Sequence, residues 1–144
     1  MKGQVSVEYL MVVGIALMIL VPGAVLFYNF SKGTSDQLAS ARINRAGVEI
    51  LSTAEAMYAV GQNSWATVAI DFPETVKNIY ILNDDELVVR YEGQSGMTDA
   101  VFFSDISIVA PYPGGNISSN FQPGLTKIKV ASRGPDVEIS ELII

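Results

Sequence analysis

A long uncharged segment near the N-terminus constrains this chain more than any other feature. Residues 9–30 contain no Asp, Glu, Lys or Arg, and Asn29 is their one polar residue after Tyr9, apart from the Tyr28 hydroxyl. As an α-helix, residues 9–28 would span about 30 Å, which matches the hydrocarbon core of a bilayer. We call residues 9–30 the apolar segment, and we expect it to be surrounded by lipid or by other protein.

The following residues, 31–62, show the spacing of an amphipathic helix. Their apolar side chains recur every three or four positions and form one stripe: Ile43, Ala46, Gly47, Ile50, Leu51, Ala54, Met57 and Tyr58. Between Phe30 and Gly61, Gly33 is the one residue outside this stripe that strongly disfavours a helix, and Gly61 with the polar residues after it predicts a helix end. We therefore expect a single helix from about residue 5 to residue 60, about 85 Å long, which no small domain can cover.

The rest of the chain has the short alternating runs of β-strands, separated by turn residues. The predicted strands are 66–72, 76–82, 86–91, 100–103, 106–110, 126–131 and 137–143. Asn83, Asp84 and Asp85 predict a hairpin turn, because Asn and Asp tolerate left-handed backbone conformations. The expected fold class is α+β: a long N-terminal helix packed on a small antiparallel sheet or sandwich.

Composition makes an enzyme an unfavourable interpretation. The chain has no cysteine and no histidine, which excludes disulfides and thiolate metal sites and removes the commonest general base and zinc ligand. The acidic cluster at residues 84–86 lacks the pattern of a calcium loop, and no nucleophile or phosphate-loop motif is present. We expect no catalytic residues, no metal and no cofactor.

Net charge points in the same direction. The whole excess of the −6 charge lies in residues 63–144, which carry five basic and eleven acidic residues. Such a surface repels phosphate backbones, so we expect no nucleic-acid partner.

Two ordinary interpretations of the N-terminus are a secretory signal peptide and a single-pass membrane anchor. Small residues after Val21 would suit signal cleavage, but Glu8 stands where a signal peptide favours positive charge. A plain anchor explains the apolar segment but not the carboxylate at its start, which is costly to bury without a partner.

The residues before the apolar segment are more specific. Gln4, Ser6, Glu8 and Leu10 fill a Q-x-S-x-E-x-L pattern, and Gly3 directly precedes it. This pattern resembles the class III signal peptide of archaeal type IV pilin-like proteins. The resemblance covers about the first 28 residues and does not extend to the β-rich part. The chain also lacks the cysteine pair that closes the C-terminal loop of bacterial type IV pilins.

The resemblance implies three parts, in chain order: a cleaved leader (1–3), a long helix (4–62, transmembrane or filament core over 4–30 and amphipathic over 31–62), and a β-rich outer head (63–144). A prepilin peptidase would cut between Gly3 and Gln4. The chain would then be a structural subunit, a homo-oligomer in an archaeal surface filament with a role in adhesion. An assembly ATPase and a platform protein would be further partners, and the precursor would reside in the cytoplasmic membrane before filament assembly.

The alternative function is a minor pilin or adhesin, or a membrane-anchored extracellular binding module on a pilin-like stalk. A head of this size is small for a ligand pocket, which favours the structural role.

Four further expectations concern single residues. The resemblance implies that Glu8 neutralises the new amino group of Gln4, in its own or a neighbouring subunit. Pro22 and Gly23 predict a bend or local unwinding, since proline removes a backbone donor. Asn116 begins an N-glycosylation sequon in a Gly- and Ser-rich loop. Tyr112, between two prolines, is the candidate for an exposed adhesive contact.

Overall fold

The computed structural model describes the backbone of residues 2–142 and the side chains of residues 6–142. The elements are α1 (Lys2–Val60), β1 (Trp65–Phe72), β2 (Val76–Leu82), β3 (Glu86–Gly93), β4 (Gly96–Phe103), β5 (Ile108–Val109), a 3-10 turn (Pro113–Gly115), β6 (Gly124–Ser132) and β7 (Val137–Glu141). The expected α+β class, a long helix with a small β-rich head, is therefore confirmed.

Helix α1 is continuous from Lys2 to Val60, as expected, although it includes Pro22 and Gly33. It ends at the predicted stop. Gly61 has a φ of +107°, and its N–H donates to the Met57 carbonyl over 3.1 Å. The Ser64 hydroxyl donates to the same carbonyl over 2.7 Å. A left-handed glycine with such a bond is a common helix C-terminus, because it satisfies a carbonyl that the helix leaves unpaired.

The chain forms two compact units, one up to Gln37 and one from Leu38 onward. The first unit is helical throughout its described residues. The second, which we call the head unit, contains the remainder of α1 and all seven strands.

The strands of the head unit form two sheets. Sheet one has the strand order β1-β6-β7-β5 and sheet two the order β2-β3-β4. All pairs are antiparallel except β5 with β7, which departs from the purely antiparallel sheet expected from sequence. Residues 110–136, which include β6, separate β5 from β7 along the chain. No tight hairpin turn joins these two strands, so they are free to pair in the parallel direction.

The core of the head unit lies between the inner faces of the sheets and the stripe of α1. Every second residue of β1 and β6 points inward, including Phe72 of β1 and Ile128 of β6, and both are almost fully buried. The predicted stripe is buried or half-buried except Tyr58, which is 43% exposed. Gly47 is needed for this packing, because a Cβ there would lie 2.4 Å from the Phe102 ring.

Residues with left-handed backbone conformations form two of the turns. Asn83 and Asp84 have φ values of +54° and +63°, which confirms the hairpin turn between β2 and β3. Gly115, with a φ of +73°, holds the 3-10 turn against β2, and a Cβ on it would lie 2.1 Å from the Ile81 carbonyl oxygen.

Gly115→Ala should therefore destabilise the head unit by about 3 kcal/mol or more, since both backbone strain and a clash with main chain oppose it. Gly114→Ala is the matched control. Gly114 has a φ of +74°, but a Cβ there meets only the Asn116 amide nitrogen, at 3.5 Å. It should cost about 1 kcal/mol, for the left-handed conformation alone. Urea unfolding of both full-length variants in detergent measures the difference, and equal losses would contradict the steric explanation.

Candidate assembly surface

The apolar segment is almost entirely uncovered by its own chain. Every residue of 9–30 is exposed except Val13, which is half-buried. Sixteen large apolar side chains between Val7 and Phe30 are 54–78% exposed. Fully burying one such side chain is worth about 1.5–3 kcal/mol, so leaving them all in water would cost more than the 5–15 kcal/mol that stabilises a typical domain. The segment is therefore a surface for burial against something else.

Its length suits a bilayer. Within the part of α1 from Ser6 to Val60, an 18-residue window reaches a mean hydropathy of 2.7, and none of that window is buried. This is the one helix among the described residues that is long and apolar enough to cross a membrane. The segment can therefore anchor in a membrane, as expected from the sequence.

One ionisable side chain interrupts this surface at its start. Glu8 is exposed, and no other Asp, Glu, Lys or Arg occurs between residues 6 and 31. A carboxylate buried there without a partner would be strongly unfavourable. Side chains before Ser6 lie outside the described ones, so cleavage after Gly3 and the pairing of Glu8 with the Gln4 amino group stay predictions.

The small residues of the segment leave room for a close neighbour. A Cβ built on Gly14 or on Gly23 meets no atom within 4 Å. Helices in lipid approach each other most closely at such positions, because small residues let the backbones come together. The helix continues through Pro22, and the bend expected at Pro22 and Gly23 stays a prediction.

The other end of the segment carries a feature that our sequence analysis missed. The Lys32 ammonium lies 4.8 Å from the centre of the Tyr28 ring, one helical turn away. Aromatic and lysine side chains commonly anchor helices at membrane boundaries, because an apolar body and a polar end suit that region. A Tyr and a Lys four residues apart at the end of an apolar run would have been a sufficient signal.

The head unit carries one polar network that sequence did not predict. On the outer face of sheet two, Arg90 donates to both carboxylate oxygens of Asp99, over 2.8 and 2.9 Å, and to the Tyr80 hydroxyl over 3.0 Å. The hydrogen bond from Arg90 is the main reason that the pKa of Asp99 is lowered. Burial, followed by the Asp99 charge, raises the pKa of Tyr80. Strand register makes the contact, pairing Arg90 directly with Asp99.

The pKa of Asp99 should accordingly lie below the ordinary aspartate value in an NMR carboxyl titration. Arg90→Gln should return it towards that value, while Lys77→Gln should leave it unchanged. Because the folded pKa is the lower one, the pair stabilises the head unit above the ordinary aspartate pKa of about 3.9 and loses this effect as the pH falls through the folded pKa. An unchanged Asp99 titration in Arg90→Gln would contradict this assignment.

The sequon lies in a more enclosed place than the Gly- and Ser-rich loop suggested. Ile117 and Ser118 are buried, and Asn116 is half-buried. The Asn116 side chain accepts from Asn78 over 2.7 Å and donates to the Pro113 carbonyl over 2.8 Å. A linked sugar would replace one of the two amide protons and must leave the proton that bonds to Pro113.

Glycosylation of Asn116 stays a prediction that mass can check. If it occurs, the intact mass of the protein from its native source should exceed that of the bare mature chain that begins at Gln4, and Asn116→Gln should remove the excess. Residues Asn29-Phe30-Ser31 also form a sequon, but one that begins within the apolar segment, so Asn29→Gln should leave the mass of any glycan unchanged. A mass equal to that of the bare mature chain would contradict the prediction.

The remaining candidate positions do not converge on a reaction site. Asp84 and Asp85 are exposed in the β2–β3 turn, and Tyr112 is half-buried. Among the described residues, no group of three or more acidic side chains is placed to hold a metal ion. A groove of about 410 Å³ lies between α1 and β4, and apolar side chains such as Val48 and Phe103 contribute much of its lining. The exposed turn and the apolar groove are surfaces on which another protein can pack.

Comparison with known proteins adds no relative. No protein-family model matches the chain, and no curated protein or solved structure is significantly similar to it. The resemblance of the N-terminal motif to archaeal pilin-like proteins therefore stays a prediction from the sequence.

Proposed function

We propose that this chain is a structural subunit of an archaeal type IV-like surface filament. The observation that carries the proposal is the apolar segment: a charge-free helical surface that its own chain leaves exposed. Lipid covers such a surface before assembly and copies of the same helix cover it afterwards. The head unit, with its own core, then forms the outer surface, where it serves adhesion.

Glu8 favours a filament over a plain membrane anchor. A carboxylate at the start of an apolar helix is unfavourable in lipid, whereas the amino group released by cleavage before Gln4 can neutralise it among packed helices. The Q-x-S-x-E-x-L pattern supplies the cleavage position, after Gly3. Prepilin peptidase, an assembly ATPase and a platform protein are the partners that this function requires.

Glu8→Ala tests the proposal directly. The variant should be cleaved normally but enter filaments at least about tenfold less often, because an unpaired buried amino group costs roughly 3–5 kcal/mol. Glu55→Ala is the matched control, since Glu55 is an exposed acidic residue of the same helix. Electron microscopy of filaments and mass spectrometry of their subunits provide the measurement.

The same preparation distinguishes the alternatives. Subunits that begin at Gln4 and are abundant in filaments would support the structural role. A protein that stays in the membrane with residues 1–3 intact would indicate a plain anchor and overturn the proposal, as would a normal filament yield from Glu8→Ala.

A further inference from the structure

The outer faces of the two sheets in the head unit carry complementary patches. On sheet two, Glu86 lies between Leu82 and Phe103 across three paired strands, and Val101 adjoins them. Leu82, Val101 and Phe103 are 42%, 43% and 73% exposed. We call these four residues the Phe103 patch. A group of adjacent exposed apolar side chains on the surface of a soluble domain is a candidate contact site for a partner.

Negatively charged residues lie at one end of this patch. Asp84 and Asp85 are exposed in the turn that leads into Glu86. The basic side chains of sheet two, Arg90 and Lys77, are already paired with Asp99 and Glu92. A partner for the Phe103 patch therefore needs apolar groups together with positive charge.

Sheet one supplies that combination. Leu125, Lys127 and Lys129 follow one another on the outer face of β6, and the Lys129 ammonium lies 5.8 Å from the centre of the Trp65 ring. Trp65 and Leu125 are 65% and 76% exposed. We call these four residues the Lys127 patch.

Two acidic residues near the Lys127 patch, Asp71 and Glu138, are already paired. Asp71 lies 3.9 Å from Arg42, and Glu138 forms an ion pair with Arg133. The two lysines therefore give this patch its positive character, although the chain as a whole is acidic.

We propose that the Phe103 patch of one copy of this chain docks on the Lys127 patch of another. The two patches are different surfaces of one unit, so the contact is heterologous: each copy uses one patch for each of two neighbours. A contact of this kind extends into an open array unless its rotation closes a ring.

A weak contact is sufficient if the proposed function is correct, and in this respect the inference rests on it. Helices packed in a filament would hold the heads at an effective concentration of the order of 1 mM, so a contact with a Kd of about 1 mM would be about half occupied and one with a Kd of about 0.1 mM would be about nine-tenths occupied. Apolar groups would supply most of the contact and the opposite charges its orientation.

Disulfide cross-linking tests the contact, since the chain has no cysteine of its own. Full-length Phe103→Cys/Leu125→Cys, oxidised on the cell surface or in isolated filaments, should give a ladder of cross-linked multimers. Each single variant should give little dimer, whereas co-expression of the two should give dimers. Phe103→Cys/Val60→Cys is the matched control, because Val60 is 72% exposed but belongs to neither patch.

Charge reversal gives an independent test. Glu86→Lys or Lys127→Glu alone, each made in the double-cysteine background, should lower the cross-linked fraction roughly three- to tenfold through like-charge repulsion. The two reversals together should restore it. Lack of restoration would overturn the pairing of these two patches.

The outcomes separate this contact from the proposed function. Filaments without a ladder would overturn the contact and leave the filament role standing. A ladder at the cell surface without filaments would support the contact and count against the filament role. Dimers of a single variant as strong as the mixed ones would also overturn the proposal, because they would indicate a symmetric contact.

Discussion

The exposed apolar surface of residues 9–30 is the constraint on which the rest of this molecule depends. Its large side chains are more than half exposed, and their transfer from water is worth more than the stability of an ordinary domain. This surface must therefore be covered by lipid or by other protein at every stage. Glu8, the single charge near its start, then determines which neighbours are acceptable, because it needs a positive partner wherever water is excluded.

One continuous helix serves two environments. Its first part is apolar on all sides, whereas from Ile43 to Met57 only one stripe is buried, against the sheets of the head unit. This stripe completes the core between Phe72 on one sheet and Leu87 on the other. Gly47 lets the helix approach Phe102 closely, so the head unit cannot be understood as a β domain to which a helix was merely attached.

Charged residues on the surface of the head unit fall into two groups. Arg90 with Asp99 and Arg42 with Asp71 form local pairs on the surface. Two charged residues outside these pairs lie beside exposed apolar residues: Glu86 beside Phe103 on one face and Lys127 beside Leu125 on the other. Exposed aromatic side chains and complementary charge are both common features of protein interfaces.

Local patterns in the sequence were sufficient for the helix, its end at Gly61, most strand positions and the turn at Asn83, because periodicity and left-handed residues act over a few positions. They also identified the apolar segment and Glu8. Strand register lay beyond them: it joins Arg90 to Asp99 and sets Glu86 between Leu82 and Phe103. It also runs β5 parallel to β7 and encloses Ser118, which sequence placed in an open loop. Apart from the β2–β3 hairpin, which its turn residues predict, these relations arise from contacts between distant segments, and local patterns do not encode which of those segments become neighbours.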